Sequence, residues 1–417
     1  MIDQPELASH QQLGHQQLGQ QLGIYEPHEL AGAGFPLWLP NGAAIVAELE
    51  RYIVDTERRA GYVHVRTPPV AKPELYRRSG HADHFLAEMF PPMRIGGDEL
   101  VLRPTLCPHH ALVFGSRLRS HRELPLRLAE FGQQFRKEPS GVVEGLLRVR
   151  GMTLNDAHVF CGEEQAAAEA ALALEMIDEA YQVLGIEPAY VMLSVRGPGK
   201  SYAGSDEIWE RAEAILLAAL AARGMEAKRV EGEAAFYGPK LDIQVYDAHG
   251  KEFTLSTVQA DLVQPERFDL KYVAPSGARL RPAIVHRSVL SAMERMVAYL
   301  LERSQGVLPP WLAPVQVLVL PVGAEQSDAA WRFAALAAEA GVRVEVDDRD
   351  ETLGARIRSA RPRRVPYLAV FGGREVADGA VAVRLRDGSQ LSPLPVAAFL
   401  QRLGRVLRSR ARDLDLN

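Results

Sequence analysis

The stretch richest in groups able to handle an anion is Phe135-Arg-Lys-Glu-Pro-Ser-Gly141, followed by Leu147-Arg-Val-Arg-Gly151 and Asn155-Asp-Ala-His158. On a strand, Arg136 and Glu138 would point to the same face. Arg136 could then hold a phosphate or carboxylate through two parallel hydrogen bonds. The plainer reading is a solvated Arg–Glu ion pair, and spacing alone favours it. No GxxxxGK[ST] loop, HExxH helix or CxxC pair offers a sharper signal. Two cysteines, Cys107 and Cys161, exclude a disulfide framework and point to a reducing cytosol.

A chain of 417 residues suggests two or three domains with ample material for a buried core. The formal net charge of −5 leaves no global basic field, so a nucleic acid would have to bind a local patch. No apolar run is long enough to span a membrane, and the first residues lack a signal-peptide pattern. Residues 1–30 form a Gln-, His- and Leu-rich arm with a short tandem repeat, His10-Gln-Gln-Leu-Gly14-His15-Gln-Gln-Leu-Gly19, whose plain reading is a frayed helix.

Helical periodicity covers about 42–60, then a strand-like Tyr62–Thr67 runs into Pro68-Pro69. Residues 163–184 read as a helix stopped by Gly185, and 289–304 as another. Segments near 234–245, 252–259 and 280–287 alternate like antiparallel strands. Residues 31–305 therefore read as an α+β domain with an antiparallel sheet. Residues 306–314, rich in Pro and Gly, read as a linker. Beyond it, strands at 315–320, 342–346, 367–371 and 380–385 alternate with helices at 327–340 and 351–360. Ser327 is the expected N-cap and Gly341 the stop, so 315–417 reads as a small α/β domain.

Set in order along the chain, these motifs resemble a known family. Arg136-Lys-Glu138 is similar to the Arg-x-Glu core of motif 2 of class II aminoacyl-tRNA synthetases, and Arg148 to that motif's second phosphate-binding Arg. His286-Arg-Ser-Val-Leu-Ser-Ala-Met-Glu-Arg295 resembles motif 3 in its threonyl form, and Gly61–Pro68 the dimer-forming motif 1. Leu124–Gly132, Asn155–Cys161, Gly204–Glu207, Phe236–Lys240, Pro265–Asp269 and Trp311–Gln316 also match the threonyl family closely. The resemblance covers nearly the whole chain. It implies a class II catalytic domain at 31–305 and an anticodon-binding domain at 315–417.

The resemblance implies zinc ligands at Cys107, His158 and His286, which spacing alone would not reveal. Three ligands leave one position open for the amine and hydroxyl of L-threonine. Valine lacks that oxygen, and a site built around a hydroxyl can reject its absence by ~10⁴-fold. Asp156 matches the residue that meets the hydroxyl, Tyr237 one near the amine and Lys240 one near the α-phosphate. Met152 and Leu154 stand at the adenine and substrate-carboxylate positions. Arg136, Glu138, Arg148, Lys240 and Arg295, with Mg²⁺, would act on ATP by positioning and charge neutralisation. His81 and Gln259 match residues near the terminal ribose of tRNA(Thr); the plain reading of His81 is an exposed loop histidine. Glu375 and Arg384 match anticodon-contacting positions. The implied protein is a cytoplasmic, homodimeric threonine–tRNA ligase.

Several positions depart from the family pattern. Met152 replaces a ring-stacking Phe, and Leu154 a Gln near the substrate carboxylate. Ser291-Ala292 stands for Gly-Ser, Leu106-Cys-Pro-His-His110 for Asn-Cys-Pro-Gly-His, and Leu255-Ser256 for a small pair. Arg349-Asp-Glu-Thr352 loses a Lys. Two alternatives follow: a threonine-activating paralogue that loads another acceptor or resists an inhibitor, and a non-catalytic relative that binds tRNA or amino acid. The sequence also lacks the family's N-terminal and editing domains, so serine misactivation is expected, because one methyl is worth only about 10–200-fold.

Overall fold

The computed structural model describes residues 13–416. His10–Gln12 of the tandem repeat lie outside the described residues, but its second copy forms α1 (His15–Gln21). Helix α1 is not a frayed end: His15, Leu18 and Gly19 are buried. Helix α2 (Pro40–Arg59) starts with Pro in its first turn and ends with Arg58 and Arg59, which complement the helix dipole. Its Ile45, Leu49, Tyr52 and Ile53 form one buried stripe.

An eight-stranded sheet follows. Its strands are β1 (Val63–His64), β2 (Leu126–Phe135), β3 (Gly151–Cys161), β4 (Tyr190–Val195), β5 (Ala227–Glu231), β6 (Lys240–Tyr246), β7 (Glu252–Asp261) and β8 (Ala283–Ser288). The spatial order is β5-β4-β6-β7-β8-β3-β2-β1. The two outer pairs are parallel and the interior pairs antiparallel. Three helices, α4 (Glu163–Leu184), α5 (Asp206–Arg223) and α6 (Met293–Ser304), cover one face. There Ala157, Val159, Leu241, Ile243, Val258 and Val285 join Leu174, Ile177, Leu216 and Met296 in the main core. The intervening residues, Asp156, His158, Gln259 and His286 among them, must then project from the opposite face. Helix α3 (Cys107–Gly115) packs on that face through Ala111 and Phe114 against Leu128, Phe160 and Ile284.

Several expected elements are shorter or different. The strand at 62–67 is only the two-residue β1 at the sheet edge. The segment at 234–245 begins as a strand at Lys240, and the helix expected from 289 begins at Met293. Strand β2 stops at Phe135, so the same-face argument for Arg136 and Glu138 does not apply. The chain turns there instead: the Glu138 N–H donates to the Arg136 carbonyl at 2.8 Å, and the Lys137 N–H to the Glu88 carbonyl at 2.6 Å.

The second domain has a sheet ordered β10-β9-β11-β12-β13, from β9 (Val317–Pro321), β10 (Val344–Val346), β11 (Tyr367–Phe371), β12 (Ala380–Leu385) and β13 (Gln390–Pro395). Helices α7 (Ser327–Glu339), α8 (Leu353–Ala360), α9 (Gly373–Asp378) and α10 (Val396–Ser409) complete it. Phe333, Phe371, Phe399 and Leu403 anchor its own core. Ser327 is the first helical residue of α7 rather than its cap. The 306–314 segment is not a loose tether. Leu308, Trp311 and Leu312 are buried, and the Arg343 guanidinium donates to the Trp311 and Ala313 carbonyls at 2.7 and 2.9 Å. Arg343 also pairs with Glu48 (2.6 Å) and Arg410 with Asp55 (2.8 Å), so two ion pairs cross from the second domain to α2.

Candidate active site

Antiparallel register builds the site. His286 on β8 stands opposite Gln259 on β7 and His158 on β3, so one row across three strands carries all three side chains. Cys107, the first residue of α3, comes down onto this row from above the sheet. Ligating atoms of Cys107, His158 and His286 lie within 4.8 Å of one another, and all three residues are buried. Among the described residues no other group of His, Cys, Asp and Glu meets in this way.

The surroundings assign the imidazole tautomers. His286 Nε2 lies 2.9 Å from Asp261 Oδ2, while Asp261 Oδ1 accepts the N–H groups of Val263 and Gln264 at 2.8 and 2.9 Å. An anchored carboxylate can only accept, so His286 Nε2 carries the proton and Nδ1 keeps a free lone pair. On the other side His110 Nε2 lies 3.3 Å from Glu130 Oε2, and His110 Nδ1 lies 2.8 Å from His158 Nδ1. Here His110 donates to Glu130 and accepts from His158, leaving His158 Nε2 free. Burial pushes the Glu130 carboxyl up, but hydrogen bonds from His110 and Thr67 and the charge of Arg103 outweigh it and hold it down at about 2. His110, Glu130 and Asp261 were not singled out from the sequence. The only signal for them was the Cys107-Pro-His-His110 run, in which residues three apart share a helix face.

Two neutral imidazole nitrogens and one sulfur are the donor set of a borderline-soft cation such as Zn²⁺. Each histidine already spends its other nitrogen on a fixed partner, the arrangement that orients metal-binding imidazoles. Burial pushes the Cys107 thiol far above its ordinary range and His158 far below its own, so a thiolate here calls for a compensating cation. The residues present fit a zinc ion.

The cluster forms one wall of a cavity of about 220 Å³. Asp156, Tyr237, Gln259, Met152, Leu154, Arg136 and Arg295 line it with the three candidate ligands. The Tyr237 hydroxyl donates to Gln259 Oε1 at 2.7 Å, and its ring stacks on His286 with centroids 5.0 Å apart. Burial raises Asp156 to about 6, since only the nearby imidazoles and Arg287 oppose it. At the far end Arg295 is lowered to about 10, first by burial and then by repulsion from Arg136 and Arg148. Three guanidiniums crowded together want a polyanion.

Not every expected residue meets the cavity. Arg148 pairs with Glu138 (2.8 Å) and Lys240 with Asp242 (2.8 Å), and none of these four lines the wall. His81 is not an exposed loop residue: it is buried, 2.8 Å from Ser79 Oγ and 3.7 Å from Cys107 Sγ, behind the cluster. Gln134, also missed, lines the cavity with both side-chain amide atoms buried and unpaired. Ser291, where the resembled family has Gly, takes a left-handed backbone at φ 58°, a conformation that costs a residue with a Cβ about 1 kcal/mol. A larger cavity, about 680 Å³, is lined by Arg196, Trp209, Glu213 and Arg229, and no ligating cluster accompanies it.

In the second domain Glu375 and Arg384 sit on different elements. Glu375 Oε2 accepts the Gly372 N–H at 3.0 Å and so caps α9. Arg384 lines a cavity of about 370 Å³ with Arg361, Arg364 and Arg386. Thr352, standing for the family's Lys, caps α8 by accepting the Ala355 N–H at 3.3 Å.

Comparison with known proteins agrees with this architecture. Residues 91–304 match the tRNA synthetase class II core domain (G, H, P, S and T), and residues 316–405 match an anticodon binding domain. This defines a class II tRNA synthetase core joined to an anticodon-binding domain. A crystallised RNA binding domain of threonyl-tRNA synthetase from Cryptosporidium parvum Iowa II superposes with a TM-score of 0.90 at 32% identity, covering 97% of this chain and 100% of that one. The threonine–tRNA ligase of Geobacillus kaustophilus is 47% identical over 96% of this chain, and that of Listeria monocytogenes serotype 4a (strain HCC23) 48% over 93%. The chain belongs to the threonyl-tRNA synthetase family. It spans 62% and 61% of the length of those two ligases.

Proposed function

We propose that this chain activates L-threonine with ATP and transfers it to tRNA(Thr). The observation that carries the reading is the shared cavity, with a Cys107–His158–His286 cluster at one end and Arg136 and Arg295 at the other. A bound Zn²⁺ on those three ligands would present an electrophilic open position to the substrate's amine and hydroxyl. Asp156 lies in the same wall and would accept the substrate hydroxyl's hydrogen bond. Tyr237, kept protonated by burial, fixes Gln259 through its own hydroxyl.

ATP, entering as its Mg²⁺ complex, would lay its phosphates on Arg136 and Arg295. The carboxylate of threonine attacks the α-phosphorus, the bond to the β-phosphate oxygen breaks, and pyrophosphate leaves with the charge. Arg136 and Arg295 stabilise that charge, and Arg148 and Lys240 would reach it after leaving Glu138 and Asp242. The terminal ribose hydroxyl of tRNA then attacks the adenylate carbonyl and AMP leaves. Gln259 would contact that ribose, whereas His81, lying behind Cys107, would act by supporting the metal end. Glu375 and Arg384 would face the anticodon.

Dimerisation through the β1 edge suits the exposed Val63 there. Two free thiols suit a reducing cytoplasm. No helix among the described residues is long and apolar enough to cross a membrane. A second reading, a threonine-activating paralogue with another acceptor, draws on Leu154 in the cavity wall, where no hydrogen bond to a carboxylate is available. ATP–pyrophosphate exchange with each amino acid, followed by tRNA charging, separates them. Exchange with charging supports the first reading, exchange without charging the second. No exchange refutes both and leaves a non-catalytic binding relative.

A further inference from the structure

The motif that the catalytic reading leaves unused is the Gln-rich repeat, and its second copy touches the nucleotide end of the site. His15 on α1 is almost fully buried. Its Nδ1 lies 2.7 Å from Glu302 Oε1 on α6, and the same oxygen accepts the His15 backbone N–H at 3.0 Å. Its Nε2 accepts the backbone N–H of Leu146 at 3.1 Å. An acceptor role at Nε2 places the ring proton on Nδ1, where Glu302 receives it. Both ring nitrogens are thus committed, one to the motif 3 helix and one to the motif 2 loop.

The loop is built to receive this contact. Leu147 N–H donates to the Glu144 carbonyl at 2.9 Å, closing a tight turn whose Gly145 has φ 48°. A Cβ at Gly145 would collide with His15 Nε2. Leu146 is fully buried in the main core, and the Leu147 carbonyl accepts from Arg295 Nε at 3.3 Å. Arg148 follows at once. On its other flank α1 is pinned by Gln305, whose side chain accepts the Leu13 N–H at 2.9 Å and donates to the Leu13 carbonyl at 3.2 Å.

We infer that His15 is a positioning residue for ATP: it clasps the 144–148 turn to α6 so that Arg148 and Arg295 are presented together to the phosphates. The inference rests on the synthetase reading for the identity of the nucleotide, but the clasp itself is a property of this chain. A short polar helix outside the catalytic fold thereby sets the geometry of a catalytic loop.

The test uses the full chain with His15→Ala and His15→Gln, since a Gln side chain can still offer an acceptor to Leu146. Three quantities are read: hydrogen exchange of the Leu146 amide, ATP affinity by calorimetry, and KM for ATP and for threonine in pyrophosphate exchange. His15→Ala should lose protection at Leu146 and weaken ATP roughly tenfold, the scale of one well-placed hydrogen bond. KM for threonine and protection within α6 should stay unchanged. His15→Gln should recover most of both losses. Wild-type protection at Leu146, unchanged ATP affinity, or equal losses for ATP and threonine in His15→Ala would overturn the clasp. A wild-type chain with no threonine-dependent exchange would overturn the synthetase reading instead, and the amide exchange and ATP affinity would still decide the clasp.

Discussion

The two ends of the proposed catalytic cavity, one read as a metal end and the other as a phosphate end, are held by different means. At the metal end, His158, Gln259 and His286 sit in one register row of three paired strands, and each histidine has a fixed partner for its second nitrogen. At the phosphate end, Arg136 lies just beyond a strand, Arg148 follows a turn, and only Arg295 sits on a helix. Selection of an amino acid that differs by one atom calls for rigid ligands, which a sheet supplies. In the proposed reaction phosphates would arrive and leave in every cycle, which suits cations on a loop. The difference teaches that the loop needs outside restraint, and His15 and Arg295 grip it at consecutive residues.

Four substitutions would break or sharpen this contrast. The largest effect belongs to His158→Ala, which should empty the metal site and cut threonine activation by about 10⁴-fold, the leverage of a site built around a hydroxyl. Metal analysis beside pyrophosphate exchange checks it, and full zinc content with retained activation would refute the ligand assignment. Arg295→Ala comes next. It removes a cation from the phosphate end and should lower kcat by ~10²–10³ while metal content stays intact.

Glu294, beside Arg295, acts on stability. Its carboxyl accepts the Thr153 N–H at 3.1 Å, yet burial raises it to about 7 from 4.5. The folded state therefore binds a proton that the unfolded chain gives up near pH 4.5. The resulting stability is complete below that value and is lost as pH rises through about 7, by roughly 3 kcal/mol in all. Tm against pH should show this fall, and Glu294→Gln should flatten it; an equal slope in both proteins contradicts it. Asp261→Asn has the smallest expected effect. It keeps the shape but weakens the partner of His286 Nε2, and zinc affinity in chelator competition should drop about 10–100-fold. An unchanged affinity would mean that the sheet alone orients the ring.

Period-two alternation made β6, β7 and β8 legible, because one face had to bury Ile243, Val258 and Val285 under helices, whereas β2 and β3 were not read as strands. The same parity put His286 on the open face, but no local pattern could announce that His158 and Cys107 would join it. That juxtaposition depends on pairing between strands far apart in sequence, and resemblance supplied it. Reading Arg136 and Glu138 as strand neighbours failed because the strand stops at Phe135 and the backbone then turns, with the Glu138 N–H on the Arg136 carbonyl. Composition marked 306–314 as the segment between the two domains, but it did not reveal that Trp311 packs on Tyr52, with ring centroids 5.8 Å apart. His15 was hidden for the same reason: a polar residue in a Gln-rich run looks solvated until its partners 131 and 287 residues away are in place.

The most direct test of the metal-end claim is the ratio of threonine to valine in pyrophosphate exchange, measured on zinc-replete and zinc-stripped protein. The account predicts discrimination of ~10⁴-fold or more with zinc and its collapse without, while serine trails threonine by only about 10–200-fold. Activation of valine on a par with threonine by the zinc-replete protein would contradict it.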